Sequence, residues 1–468
     1  MADLLTTDPA RWAWALALLL AYALLCLGIY RQQHRARQAA ARQAAALAGG
    51  DRPILVAYAS QTGQAQTLAQ HCAEQLHAAG WAVTVQALNQ TAPAQLQAAT
   101  HAIFIASTYG EGDAPDNATL FQRQCMAQSL PLSGLRYSLL ALGDSHYARF
   151  CGFGRALDAW LQAQQARPLH ERLEADQSGS AAATLAQWQS TLAAALNLDA
   201  SALASPSRAP APTTWTLAKR QHLNPGSQGG AVYHLELAAQ VPDTAWESGD
   251  LVDLAPPPAA EDAQEAPAPR SYSIASIPAD GSLHLLVRQT WRADGTPGRA
   301  SHWLTADLNV GATLTLQLRA HPGFRLEDNA QRPLVLIGNG TGLAGLRAHL
   351  RTRAAQGRHA NWLIAGERQA AHDQLYGAEL QAWQTSGHLQ RLDWAFSRDG
   401  ERKTYVQDLL RQHAALLRQW VETGGAALYV CGSLQGMAEG VDTALRQILG
   451  STAVDELVQQ GRYRRDVY

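Results

Sequence analysis

Cysteine is scarce in this chain. Five residues, Cys26, Cys72, Cys125, Cys151 and Cys431, are scattered through 468 positions, and none stands in C-x-x-C spacing. That pattern excludes a disulfide framework, a zinc ribbon and a thiolate iron–sulfur cluster, and it suits a reducing compartment. No metal site is expected. Lysine is scarcer still, with only Lys219 and Lys403. No G-x-x-x-x-G-K-[ST] loop occurs, which argues against nucleoside triphosphate hydrolysis. An excess of one charge is missing too. Thirty-seven basic residues against thirty-nine acidic ones leave a net charge of −2, so there is no basic footprint for nucleic acid. An apolar fraction of 47% is enough for sizeable cores and argues against disorder. There is no internal repeat, and the length suggests roughly two to four domains.

One long hydrophobic run is present. Residues 12–30 read WAWALALLLAYALLCLGIY, without a charge. As a helix they would extend roughly 28 Å, about the hydrocarbon thickness of a bilayer. A signal peptide or a buried core helix are the alternatives, but Asp3 and Asp8 precede a lone Arg11 where a signal peptide carries a basic region. Arg31, Arg35, Arg37 and Arg42 follow the run. The expectation is therefore a single-pass membrane anchor at residues 1–30, a stalk at 31–52, and everything beyond it in the cytoplasm.

Residues 53–198 alternate short apolar runs (ILVAYAS, HAIFIAS, YSLLALGDS) with helical patterns, as a doubly wound parallel sheet requires. A Pro- and Ala-rich linker is read at 199–213, and an acidic loop at 255–269. Between them and beyond, residues 214–328 are dominated by strand signals that suggest an antiparallel β-barrel. From 329 to 468 the alternation returns, as in a second doubly wound unit. The fold class expected is α/β, with a barrel between two nucleotide-type domains.

Three loops at strand ends of the first unit share one chemistry. Ser60, Gln61, Thr62, Gly63, Gln64 and Ala65 offer hydroxyls and backbone N–H groups at a helix start, a phosphate cradle. Thr108, Tyr109 and Gly110 form the second. Leu142, Gly143, Asp144 and Tyr147, followed by Phe150 and Cys151, form the third. Two tyrosines on separate loops can sandwich a flat ring, or be ordinary half-buried loop aromatics.

The three segments S-Q-T-G, S-T-Y-G-E-G-D-A-P-D-N and L-G-D-S-x-Y-x-x-F-C-G resemble the flavodoxin-like FMN domain of the diflavin reductases. That family includes NADPH–cytochrome (hemoprotein) reductase and the flavoprotein subunit of sulfite reductase. The resemblance implies that Ser60, Gln61, Thr62 and Gly63 hold the FMN phosphate, that Tyr109 and Tyr147 flank its ring, and that Asp176 lies near it. Arg270-Ser271-Tyr272-Ser273 and Gly298-Arg299-Ala300-Ser301 are similar to the FAD site of the ferredoxin–NADP reductase fold. Arg270 suits a pyrophosphate and Tyr272 a flavin face.

Gly338-Asn339-Gly340-Thr341-Gly342 ends a strand and opens a helix. Read literally, Gly340, Gly342 and Gly345 with Glu367 make an NAD-type fingerprint. That reading is set aside because Ser397, Arg398, Lys403, Tyr405 and Gln407 cluster cationic and hydroxyl groups suited to the 2′-phosphate of NADPH, although a solvated charged turn would look the same. By the same resemblance Ser273, Cys431 and Asp466 surround the point of hydride transfer, and Tyr468 covers the FAD ring. Cys431 taken alone reads equally well as a small buried hydrophobe.

Three departures from the family pattern stand out. The family's helical connecting domain is reduced to the short acidic loop. Asn339 and Gly345 replace prolines, which is expected to loosen the turn. Ser433 and Gly440 stand where acids are usual. The function expected is a membrane-anchored NADPH-dependent diflavin oxidoreductase, passing electrons from NADPH through FAD and FMN to a haem or other metal-containing protein. The alternatives are a sulfite reductase flavoprotein component, a ferric or flavin reductase, and a degenerate flavin-binding membrane scaffold.

Overall fold

The computed structural model describes residues 53–468 except 111, 146, 177–180, 200–202, 204–211, 242–243, 258–268 and 293. The hydrophobic run at 12–30, the stalk, most of the linker and most of the acidic loop lie outside the described residues. The expected membrane localisation is corrected here: among the described residues no helix is long and apolar enough to cross a membrane.

The first sheet contains β1 (Ile54–Ala59), β2 (Val83–Ala87), β3 (His101–Ser107), β4 (Arg136–Gly143), β5 (Arg167–Pro168) and β6 (Leu173–Asp176). Its order is β2-β1-β3-β4-β5, with β6 also paired to β4, and every pairing is parallel. The apolar runs are nearly continuous because both faces are covered. Leu55, Ala57 and Ala59 of β1 enter one core, while Ile54 and Val56 enter another. Helix α1 (Gln64–Ala78) packs Ala69, Cys72 and Leu76 on the second face, and α2 (Gly152–Ala163) packs Phe153, Leu157 and Trp160 on the first.

The middle unit contains β7 (Thr213–His222), β8 (Val232–Ala239), β9 (Leu251–Leu254), β10 (Arg270–Ser273), β11 (Leu283–Arg288) and β12 (Thr313–Arg319). They pair antiparallel in the order β10-β9-β12-β7-β8-β11. A bridge from Ile274 to Leu285 joins the two ends, curling the sheet into a barrel around Trp215, Leu217, Leu235, Val252 and Leu316.

The last unit holds β13 (Leu334–Asn339), β14 (Asn361–Glu367), β15 (Arg391–Phe396), β16 (Ala427–Gly432) and β17 (Tyr463–Val467), parallel in the order β15-β14-β13-β16-β17. Strand β13 has neighbours from opposite directions of winding, so its C-terminal end is the switch point where doubly wound folds bind ligands. Helix α3 (Leu343–Ala355) begins there.

Helix α3 carries an acid-sensitive residue into the core. His349 is fully buried between the rings of Phe324 and Tyr429, at centroid distances of 5.0 and 4.9 Å. Neither ring nitrogen has a hydrogen-bond partner among the described residues. Burial pushes its pKa down from 6.5 to about 3. The unfolded chain therefore binds this proton first as pH falls, and stability drops below pH 6.5 by roughly 1.4 kcal/mol per pH unit. His349→Phe should lose visibly less urea resistance between pH 7 and pH 5 than the parent. Equal losses in the two proteins would show that His349 is not a source of the acid sensitivity.

Candidate functional site

The phosphate cradle follows from the start of α1. Gly63 takes a left-handed φ of 84° just before the helix, whose first turn contains no acid and no side-chain cap. Its first N–H groups are thus left for an anion. Ser60 Oγ and Thr108 Oγ1 are buried without a hydrogen-bond partner among the described residues. Two orphaned hydroxyls beside a helix start fit a bound phosphate and ring. In the third loop Cys151 precedes α2 with a φ of 52°, and Arg155 lies 5.7 Å above the Phe150 ring. Asp176 Oδ1 accepts from the Ser145 N–H at 3.1 Å. Glu111 and His146 lie outside the described residues.

The two tyrosines part company. Tyr147 is 42% exposed and opens onto a large cavity. Tyr109 instead donates its hydroxyl to the Val467 carbonyl at 2.7 Å and packs against the core of the last unit.

That cavity, about 1320 Å³, runs between the three units. From the barrel it takes Arg270, Tyr272, Ser273, Gly298, Ala300 and Ser301. From the last unit it takes Gly340, Thr341, Ser397, Arg398, Tyr405, Gln407 and Tyr468. Lys403, exposed nearby, does not line it. Such a volume suits more than one flat ring system with its phosphates. Ser301 donates to the Gly298 carbonyl at 3.1 Å and bonds Thr290 Oγ1 at 2.8 Å, which sets the short turn. Tyr468 shares a 3.0 Å hydrogen bond with Thr341 across the cavity mouth.

The expected hydride-transfer trio converges. Ser273 Oγ donates to Asp466 Oδ2 at 2.7 Å, and Cys431 Sγ lies 3.7 Å from the same oxygen. Burial, then the Asp466 carboxylate, push the Cys431 pKa well above the usual thiol range, so it remains a neutral thiol. The only charge of the trio is the carboxylate of Asp466.

The altered glycine loop is tied rather than loosened. Asn339 Nδ2 donates to Ser433 Oγ at 3.0 Å, and the Ser433 N–H donates to Asn339 Oδ1 at 2.9 Å. Two of the departures from the family pattern thus bond one another. The loop has no slack: a Cβ on Gly342 would collide with the Cys431 carbonyl.

Sequence reasoning missed the contacts between units. Arg465 grips Asp116 through Nε, 2.9 Å from both carboxylate oxygens. Gln61 donates to Asp116 Oδ2 at 3.1 Å and to the Arg465 carbonyl at 3.0 Å. The His321 Nε2–H donates to the Gln61 carbonyl at 2.9 Å, and Arg319 reaches Thr62 Oγ1 at 3.3 Å and Ser271 Oγ at 2.8 Å. Asp116 stands in the second of the three quoted segments, but nothing there marked it as a contact between units, and Arg319, His321 and Arg465 belong to no short motif read from the chain. His234, Glu236 and His284 also approach one another. Lys219 already holds Glu236 at 2.9 Å, and Arg347 lies 3.3 Å from His284, so two cations occupy that neighbourhood.

A doubly wound domain with a phosphate cradle, docked through its loop face onto a barrel and a dinucleotide-type fold, defines an electron-transfer flavoprotein. Residues 56–188 match the family model for Flavodoxin, and residues 336–443 match that for Oxidoreductase NAD-binding domain. The sulfite reductase [NADPH] flavoprotein alpha-component of Neisseria meningitidis serogroup B is 28% identical, over 98% of this chain and 96% of its own. The protein of that name from Bacillus subtilis is 27% identical, over 93% and 94%. The two domain matches and the likeness along the whole chain support a diflavin reductase, an NADPH-dependent oxidoreductase with FMN, FAD and NADPH as its cofactors.

Two expectations follow. Asp466→Asn should slow anaerobic flavin reduction by NADPH about 100-fold with flavin content intact, as loss of a preorganised charge does; an unchanged stopped-flow rate would show that the carboxylate plays no part. Asp116→Ala should remove about 2 kcal/mol of docking, between the values for exposed and buried pairs, and enlarge the radius of gyration in small-angle scattering.

Proposed function

We propose that this diflavin reductase is the electron-supplying flavoprotein of a sulfite-reductase-type system, delivering electrons from NADPH to a separate haem- or metal-containing component. The observation that carries this reading is likeness along the whole chain to proteins named as sulfite reductase flavoprotein alpha-components. It takes precedence over a membrane-anchored reductase of a hemoprotein, the reading that the expected anchor favours. The alignment with the Neisseria protein spans 588 positions against a chain of 468, in keeping with the reduced connecting segment read from the sequence.

The residue roles belong to the same proposal. Ser60 to Ala65 seat the FMN phosphate, with Thr108, Tyr109, Gly110, Leu142 to Asp144, Tyr147, Phe150, Cys151 and Asp176 around the ring. Arg270, Tyr272, Ser273, Gly298, Ala300, Ser301 and Tyr468 hold FAD. Gly340, Thr341, Ser397, Arg398, Lys403, Tyr405 and Gln407 take NADPH.

When bound, these groups supply hydride and one-electron chemistry. The chain orients and shields. Ser273 holds the Asp466 carboxylate in one orientation, from which it would offset positive charge on a bound nicotinamide, and the neutral Cys431 thiol adds no competing charge. Tyr468, hydrogen-bonded to Thr341, covers the cavity mouth and limits water. Tyr147 and Tyr272 face one cavity, which supports a short path between the two flavins.

The test is reconstitution. The purified protein, mixed with NADPH, sulfite and the partner component of a bacterial sulfite reductase, should form sulfide. It should turn over a ferric chelate more slowly than that component. No sulfide, together with rapid ferric chelate reduction, would instead favour a small-molecule reductase.

A further inference from the structure

Glu367 ends strand β14, at the edge of the sheet where the dinucleotide seat is read, and its side chain is 5% exposed. An acid at this place in an NAD-type unit accepts from a ribose hydroxyl. Here it is already engaged. Arg288, the last residue of barrel strand β11, donates to Glu367 Oε1 at 3.1 Å, while its other terminal nitrogen donates to the Gly230 carbonyl at 3.2 Å. Both side chains line the large cavity. A Cβ built on Gly340 would lie 3.4 Å from Arg288 and 4.0 Å from Glu367 Oε1. The pair therefore sits directly on the glycine turn that opens α3, where dinucleotide-type folds place a pyrophosphate.

We propose that Arg288 and Glu367 form a proton-linked charge lock: the anionic phosphates of the dinucleotide take over the Arg288 guanidinium, and Glu367, left without its cation, takes up one proton from solvent. The inference rests on the reading of residues 340–342 as the NADPH seat. The balance is simple. One carboxylate becomes one carboxylic acid, no bond other than O–H forms, and no redox change occurs.

The surroundings favour that uptake. Arg288 is the cation that faces Glu367 from the barrel. The Arg368 backbone N–H donates to it from its own loop, and Asp373, buried beyond that loop, repels its charge. Arg398 lines the same cavity from the end of β15. Burial, outweighing Arg288, already raises the Glu367 pKa from 4.5 to about 7. Neutralising Arg288 with phosphate removes an influence that lowers it, so the value in the complex lies higher still. Between the two values the complex binds more protons than the free protein. Affinity therefore weakens as pH rises through this window, by up to about tenfold per pH unit for a single proton.

Calorimetric titration of the whole flavin-loaded protein with NADP⁺ at pH 8, in two buffers of different ionisation enthalpy, counts the protons directly. The 2′-phosphate, whose second pKa is near 6, is already dianionic there and takes up none. The expected result is net proton uptake by the parent and none by Glu367→Gln, with the glutamine variant binding NADP⁺ more tightly than the parent at pH 8 and with a nearly flat pH profile. Arg288→Gln should bind weakly at every pH and also take up no proton. NADP⁺ binding by the parent without proton uptake, or uptake retained in Glu367→Gln, overturns the lock and leaves the nucleotide seat standing. No binding of NADP⁺ by the parent overturns both. The parent's own proton count decides the matter even if a variant fails to fold.

Discussion

Strand β17 is the constraint on which the arrangement depends. A strand sends successive side chains to opposite faces. Arg465 therefore points out to Asp116 of the flavodoxin-like unit, while Asp466 points in, opposite Cys431, and meets Ser273 of the barrel. Two residues further on, Tyr468 reaches Thr341. One five-residue strand thus carries the contacts that tie all three units together. A shift of register by a single residue would exchange the inward acid for the outward base.

The second theme is mutual compensation. Taken one position at a time, Asn339 and Ser433 look like losses, a missing proline and a missing acid. In space they face one another and restore by two hydrogen bonds the rigidity that a proline would have supplied through its ring. Gly342, pressed on the Cys431 carbonyl, keeps the backbones close. The same economy shapes the contact between units. Gln61, a residue of the phosphate loop, spends its side chain on Asp116 and the Arg465 carbonyl. The loop that suits the FMN phosphate is therefore also a docking surface.

Much of the architecture was legible because its signals are local. The runs ILVAYAS and PLVLIG are continuous and apolar, as strands buried on both faces must be, and the loops after them carry glycine and hydroxyl residues in a fixed order. Tyr109 was harder to read. Its motif marks a ring-flanking residue, yet its hydroxyl is bonded to Val467, a partner 358 positions away. Glu367 was noticed for its place after a strand, but its partner Arg288 lies on another domain and leaves no mark in the spacing. His321 and Arg319 had no signal of any kind.

By itself, then, the order of residues determined the three units, their sheets, the phosphate-type loops and the chemical class of the protein. Each of these rests on periodicity or on neighbours a few positions apart. The tertiary structure alone decided which charges meet, which tyrosine opens onto the cavity, and how the acid at the end of β14 is neutralised. Those outcomes depend on side chains hundreds of positions apart brought within about 3 Å, the distance at which a hydrogen bond forms.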